Sequence, residues 1–519
     1  MRGPWAEGFS NMSEIERNKP GAHQREIYLL LAIIIFALLL RLFRLAYQSF
    51  WTDEIITIKA SQNSVAQLIV HPTTNNNMPP LYFLMTHFLL KIDHHNPELL
   101  LRFPSMLFGV LSVAVFYFIV KRFLGSKVSL VATAFMAISP FHIWYSQEAR
   151  PYSLLLFLSL LSIWLLQELI SNPHSSWRQI GFVGSVVLTF YCHTIAIAFI
   201  GALFIYVLMF YFKIDWKYWS KIIISIIILM VPALLYLMLN PPAAGGDPHR
   251  TTNILSSLAY TLWTFSTGFS LGPSLSEWHD QDKLKILQPH IHFILPIMLL
   301  VSMLFLVGTA KLYKNDKKAF WFAILLFICP LLLGIVGSFI SSVHPFNVRY
   351  SIISYPAFII LIAFGLIAIK NFKVHSFAFG SLVLICVLSL NNYYFHQKYH
   401  REDNRSAGQF LKTHAMGNDL VICSAGYTAS NLRYYCSRED IHFIGYPAKY
   451  QLVDPVQIKS DFDKIIAERD RFWLFLSRTF HSDPHGHIIK YCNENFYAQE
   501  LHESIGVKLI CYQKAIELE

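Results

Sequence analysis

Charged side chains are scarce in this chain, and they gather at a few points. Phe50-Trp51-Thr52-Asp53-Glu54 places two adjacent carboxylates directly after a long apolar stretch, with Arg41 and Arg44 just before them. Ser139-Pro140-Phe141-His142-Ile143-Trp144-Tyr145-Ser146-Gln147-Glu148-Ala149-Arg150-Pro151-Tyr152 crowds His, Gln, Glu, Arg and Tyr between two apolar runs. Arg102 stands in Arg102-Phe103-Pro104-Ser105, Arg349 in Asn347-Val348-Arg349-Tyr350, and His193 in Tyr191-Cys192-His193-Thr194. The planar fork of arginine donates well to phosphate oxygens. A carboxylate beside it suits a general base or a metal ligand. Together they suit transfer of a group activated by a lipid phosphate. The carboxylate would deprotonate the acceptor, and the arginines would stabilise charge on the leaving phosphate. Plainer readings stand beside this one. Asp53-Glu54 could be a solvated loop pair, Arg41 and Arg44 could snorkel to headgroups, and Arg150 could simply pair with Glu148.

The elements that must position these residues follow from composition. The 519 residues are 54% hydrophobic and only 14% charged, with a mean hydropathy of +0.43. Soluble domains carry about 25% charged residues. This excludes a soluble enzyme, a disordered chain and a fibre. Continuous apolar runs such as 27–40 argue for helices rather than an alternating transmembrane barrel. The spacing predicts spans at 27–46, 102–122, 127–142, 150–170, two within 178–213, 219–240, 291–312, 319–342, 347–369 and 374–394. These make eleven crossings of about 20 residues each. Residues 79–92, opening on Pro79-Pro80, are apolar but short and read as a re-entrant helix.

The formal net charge is +10. Its distribution explains it without a nucleic-acid partner. Thirteen Lys and Arg fall in one set of short loops, from Lys121 to Lys373, against Lys59, Arg150 and Arg349 in the opposite set. The first set is expected to be cytoplasmic, with the N-terminal tail, 1–26. Eleven crossings then place the C-terminus and the polar clusters outside. Residues 396–519 read as a small extracytoplasmic α/β domain, with strands at 419–424, 441–445, 471–477 and 506–512. Cys423, Cys436, Cys492 and Cys511 lie there, in an irregular spacing open to disulfides or buried thiols. The segment 241–290 begins Pro241-Pro242-Ala243-Ala244-Gly245-Gly246-Asp247-Pro248 and reads as a long loop. It is expected to be mobile and to order on substrate, with Glu277, Trp278, His279 and Asp280 suited to a sugar.

In this order among the spans, the motifs resemble the GT-C glycosyltransferases, and specifically bacterial relatives of the dolichyl-phosphate-mannose protein mannosyltransferases. The marks are Trp51-x-Asp53-Glu54, Pro79-Pro80-Leu81-Tyr82, Arg102-x-Pro104-Ser105, Ser139-Pro140, Tyr145 to Tyr152, and Arg349-Tyr350. The resemblance covers residues 27 to about 395. It implies a polytopic helical membrane fold of GT-C type with about 11–13 transmembrane helices, and an inverting transfer from a polyprenyl-phosphate sugar to an envelope lipid, glycan or protein outside the cell. Carried over, Asp53 and Glu54 are the catalytic candidates. Arg102, Gln147, Glu148, Arg150, Tyr152, Arg349 and Tyr350 are candidates for the donor phosphate. His193, Trp278 and His279 are candidates for the acceptor side. Asp53, Glu54 and Glu148 could supply oxygen ligands to a divalent cation, which some relatives use. Some lipid A-modifying members carry Lys immediately before the Pro-Pro pair. This chain has Met78 there, which removes the basis for carrying over that phosphate contact or that subgroup's sugar. A flippase or transporter of a lipid-linked sugar is the competing class, and a membrane hydrolase using the same carboxylates is a third.

Overall fold

A computed structural model describes residues 22–70, 78–92, 95–173, 175–212, 215–239, 253–279, 283–340, 346–448, 451–467 and 469–514. Its membrane part is built from α1 (Ala22–Leu42), α2 (Thr52–Ser61), α3 (Val65–Val70), α4 (Leu81–Leu89), α5 (Pro97–Ile138), α6 (Pro140–Ser146), α7 (Tyr152–Ser171), α8 (Ser176–Cys192), α9 (Ala196–Phe210), α10 (Trp216–Leu239), α11 (Ile254–Thr267), α12 (Lys283–Leu287), α13 (Ile291–Asn315), α14 (Lys317–Ile340), α15 (Tyr355–Ile367) and α16 (Phe372–Phe395). Seven helices among the described residues are long and apolar enough to cross a membrane. The chain is an integral membrane protein. Every expected span falls on a helix, though some boundaries differ.

The spans expected at 102–122 and 127–142 form one element, α5. Only Gly125, at φ 78° and ψ 175°, breaks its helical backbone. That conformation costs a residue with a Cβ and none to glycine. The second half ends early, at Ile138, because the Ser139 hydroxyl caps a new helix by accepting the His142 N–H at 3.1 Å. α4 has nine residues. At 1.5 Å per residue it cannot cross a core of about 30 Å. Segment 241–290 is not one loop. After its Pro/Gly start, Asn253 caps α11 by accepting from Leu255 N–H at 2.9 Å. The buried ring of Phe265 then packs on Phe141 and Tyr355 at 4.9 and 5.2 Å. Residues 241–252 and 280–282, on which the expected ordering rests, lie outside the described residues.

α5 forms the centre of the bundle. Val113, Phe116, Val120, Ala132 and Met136 are buried against α1, α7 and α15. By contrast α10 and α13 leave Ile224, Ile227, Ile228, Leu295, Leu299 and Leu306 exposed, the face that acyl chains would cover. α13 and α15 meet backbone to backbone. A Cβ on Gly308 would lie 1.9 Å from the Leu361 carbonyl oxygen, and one on Gly365 2.1 Å from that of Leu304. Small residues permit such approach where lipid offers no hydrophobic drive between helices.

Beyond α16 lies a five-stranded sheet. Its strands are β1 (Leu420–Cys423), β2 (His442–Gly445), β3 (Arg471–Ser477), β4 (Phe496–Ser504) and β5 (Val507–Lys514), in the order β2-β1-β3-β5-β4. β1 is parallel to β2 and β3, while β5 is antiparallel to β3 and β4. Both faces are covered. Val421, Cys423, Trp473 and Phe475 pack under α17 (Asn404–His414) and α18 (Ala429–Cys436). Ile422, Phe472, Leu474 and Tyr512 pack under α19 (Ile458–Ile466) and α20 (His487–Asn495). β4 escaped the sequence reading because it is a polar edge strand, FYAQELHES. Cys423, Cys436, Cys492 and Cys511 are buried free thiols.

Replacing Gly308 or Gly365 with leucine should lower the unfolding temperature of the detergent-purified protein. Overpacking costs about 1–3 kcal/mol, and a backbone neighbour cannot swing away. Gly184→Ala, whose Cβ meets nothing within 4 Å, should unfold at or above the wild-type temperature in the same assay.

Candidate functional site

The turn after α1 leads directly into α2, and Glu54 sits at the third position of that helix. Its carboxylate accepts the Trp51 N–H at 3.2 Å, closing the first turn. It also faces Arg102 of α5 in a bidentate pair, with Nε to Oε1 and Nη2 to Oε2 both at 2.8 Å. The Ala149 N–H adds a third donor at 2.8 Å. Arg102 spends its other donors on the carbonyls of Leu45, Gln48 and Ser49 at 3.0, 2.8 and 3.1 Å. Both side chains are buried.

The next-door residue points elsewhere, since successive helical side chains are about 100° apart. Asp53 Oδ2 pairs with Arg349 Nη1 and lies 3.9 Å from Arg150 Nη2. Arg150 Nη1 donates to Thr57 Oγ1 at 2.9 Å and to the Asp53 carbonyl at 3.2 Å. The Tyr152 ring lies 5.7 Å from the Arg150 guanidinium and 5.9 Å from that of Arg349. His193 packs between Tyr152 and Tyr350, at 5.9 and 5.7 Å. Its Nδ1 accepts the Ile195 N–H at 3.2 Å. Its Nε2, and the Nε atoms of Arg150 and Arg349, are buried without a hydrogen-bond partner among the described residues. One carboxylate thus faces two arginines whose Nε atoms are unused among the described residues, where the ends of α2, α7, α8 and the turn before α15 converge.

Residues 77–238 match the family model for dolichyl-phosphate-mannose-protein mannosyltransferase. The structure of ArnT from Cupriavidus metallidurans in the apo state is 12% identical, with a TM-score of 0.55, over 94% of this chain and 98% of that one. ArnT bound to undecaprenyl phosphate gives 13% and 0.53 over the same shares. The fold is that of the GT-C glycosyltransferases. The archaeal oligosaccharyltransferase AglB from Archaeoglobus fulgidus, in complex with an inhibitory peptide and a dolichol-phosphate, is 9% identical at a TM-score of 0.51 over 96% of this chain and 76% of that one. No curated protein shows significant sequence similarity to the chain.

Within this GT-C fold the remaining candidates separate. Gln147 is spent on the scaffold. Its Nε2 donates to the carbonyls of Arg41 and Phe43, both at 2.8 Å, and its Oε1 accepts from Tyr393. Glu148 accepts from Trp144 Nε1 at 2.7 Å and pairs with Arg401, so the simple Arg150–Glu148 pair does not form. Arg41 does not snorkel. It is wholly buried and donates to the Ala37 and Ala137 carbonyls at 3.0 and 2.9 Å, and also contacts His142 Nδ1 at 2.8 Å. Trp278 lies apart, in a short turn whose Glu277 pairs with Lys398 at 3.0 Å, and packs on Tyr260 at 5.2 Å. The side chain of His279 lies outside the described residues. Arg401 escaped the sequence reading, because Tyr399-His400-Arg401-Glu402 looks like ordinary juxtamembrane charge.

The three carboxylates differ in electrostatics. Burial pushes Asp53 up, but Arg349 and Arg150, with Arg478 of the C-terminal domain, pull it below the usual aspartate range. Burial also pushes Glu54 up, and Arg102 outweighs it. Glu148 stays raised, because burial dominates and Glu54 and Asp53 add to it against the opposing pulls of Arg401 and Arg150. Two of the three carboxylates, Glu54 and Glu148, accept from arginine, indole or amide donors, and Asp53 Oδ2 pairs with arginine. Among the described residues no cluster of three His, Cys, Asp or Glu is placed to hold a metal ion.

Arg102→Ala should cost about 3–5 kcal/mol of stability, because it strands Glu54 as a buried charge. The sign of the pH dependence follows from Glu54, whose folded carboxyl lies below its ordinary 4.5. Its contribution is complete above that value and is lost as pH falls through the lower folded value. The stability gap between wild type and Glu54→Gln should therefore close on acidification, read by thermal unfolding from neutral to acid pH.

Proposed function

We propose that this chain transfers a sugar from a polyprenyl-phosphate-linked donor to an envelope lipid, glycan or protein on the extracytoplasmic face. The observation that carries the reading is the Asp53–Arg150–Arg349 group, set at the ends of membrane helices in a GT-C fold. Two arginines beside one carboxylate carry a net positive charge, complementary to a phosphate. Solved proteins of the same fold hold undecaprenyl phosphate and dolichol-phosphate.

In this mechanism the donor phosphate draws Arg150 and Arg349 from Asp53. The carboxylate, relieved of its counter-ions, gains basicity and takes the proton of the acceptor hydroxyl. The acceptor oxygen attacks the anomeric carbon opposite the phosphate, so the configuration inverts. The bond from that carbon to the phosphate oxygen breaks, and the new charge on the polyprenyl phosphate falls on the two guanidiniums. His193, Tyr152 and Tyr350 line the sugar. Glu54, Arg102 and Gln147 act by position. No step is assigned to a divalent ion.

Asp53→Asn should remove transfer while leaving the protein inserted, a loss of about 10² to 10⁴-fold for a general base. Mass spectrometry of envelope glycolipids and glycoproteins from cells carrying either form reads sugar and acceptor together. Wild-type levels of modified product with Asp53→Asn would sink the assignment. Arg150→Lys keeps the charge but loses the fork, and should weaken donor binding less than Arg150→Ala does.

The sidedness rests on the thirteen basic residues in one set of loops. Lys490→Cys, exposed on α20, should react with a membrane-impermeant thiol reagent from outside the inner membrane. Lys314→Cys, exposed on α13, should react only after permeabilisation. The opposite pattern would invert the topology.

A further inference from the structure

The polypeptide between α16 and the outer domain packs along the turn that leads into α2. Ser49 Oγ donates to the Glu402 carbonyl at 2.7 Å and accepts the Asn404 N–H at 3.2 Å. The Arg401 N–H donates to Gln48 Oε1 at 3.0 Å. On its other side, the Asp403 N–H donates to the Ile505 carbonyl, between β4 and β5, at 2.8 Å. The outer domain also grips the start of α2 directly. Asn431 Nδ2 of α18 donates to Thr52 Oγ1 at 3.0 Å, and the Phe50 N–H donates to Tyr435 Oη at 2.6 Å.

One side chain of this strap enters the site. The Arg401 guanidinium lies between the indoles of Trp51 and Trp144, at 5.0 and 4.8 Å. Its Nη1 reaches Glu54 Oε2 at 3.4 Å, and its Nη2 pairs with Glu148 Oε1. It is 8% exposed. Trp51 and Glu54 belong to the start of α2, which carries Asp53. Trp144 and Glu148 belong to α6 and the turn that carries Arg150. Arg401 is therefore a cross-link between the two walls that hold the base and the phosphate ligand. Glu148 Oε2 has no partner among the described residues, and both donors to this carboxylate act on Oε1. Without Arg401, a buried carboxylate would face Glu54 and Asp53 with only the Trp144 N–H on it. Like charge would drive the walls apart.

We propose that Arg401 is a positioning residue through which the outer domain sets the spacing of Asp53 and Arg150, and thereby the affinity of the site for a polyprenyl phosphate. The proposal rests on the phosphate-binding reading above. A guanidinium suits the task because its planar fork spans two carboxylates while its faces stack on indoles.

The probe is undecaprenyl phosphate, titrated against the full-length protein in detergent and followed by tryptophan fluorescence, with thermal unfolding in parallel. Arg401→Ala should weaken binding about tenfold, within the range of coupling between contacting residues. Arg401→Lys, which keeps the charge but cannot span both carboxylates, should lose several-fold, and it serves as the readout if the alanine variant does not purify. Arg401→Ala with Glu148→Gln should recover most of the lost affinity, because the stranded charge is gone. A purely structural role would lower stability without this recovery. Wild-type affinity in Arg401→Ala, or in Arg401→Lys where only that variant purifies, would overturn the proposal, as would a double variant no better than the single one. Arg150→Ala separates the two levels. If it loses binding while Arg401→Ala does not, only the positioning role fails. If it binds like wild type, the phosphate reading itself fails.

Discussion

The buried pair of Glu54 and Arg102 is the constraint on which the site depends. It joins the start of α2, the middle membrane helix α5, the turn after α1 and the Ala149 amide. Burying two charges costs several kcal/mol of desolvation per ion. The pair survives that cost because its two main hydrogen bonds are bidentate and Arg102's other donors end on carbonyls. Its return is in position more than in net stability. It fixes the rotation of α2, and that rotation decides that Asp53 looks toward Arg150 and Arg349.

Around that pair the protein keeps three carboxylates, two buried and Asp53 partly exposed, in three states of charge balance. Glu54 is over-matched by arginine, Asp53 is matched by Arg349 and Arg150, and Glu148 is under-matched. Such a gradient over neighbouring residues cannot come from residue type. It comes from which guanidinium reaches which oxygen in a largely buried cluster, where each charge is screened less than at the surface.

The C-terminal domain is part of this arrangement. Its α18 holds the first residues of α2, and its strap inserts Arg401 between two indoles. The sequence match to a mannosyltransferase family ends well short of these parts. It covers 77–238, leaving Asp53 on one side and Arg349 and Arg401 on the other. The site is assembled across that boundary, and fold similarity persists at 12% identity because layered helix packing tolerates most apolar exchanges.

How much was legible beforehand follows from the range of each signal. Continuous apolar runs against interspersed Lys and Arg specified the helices by composition alone, because a bilayer demands a fixed length of apolar helix. Four of five strands were visible as short apolar runs, while β4 was hidden by the polar faces of an edge strand. α11 was hidden behind its Pro/Gly-rich approach. Asp53, Arg150 and Arg349 stood out because charge at a membrane boundary is rare. Their division of labour did not. Asp53 and Glu54 are chemically near-identical neighbours, and only the packing of α2 on Arg102 separates a positioning carboxylate from one that faces two arginines. Arg401, about 350 residues further along, carried no local mark. Pairings at such separation are decided by how helices and domain dock, and no local pattern in the chain encodes them.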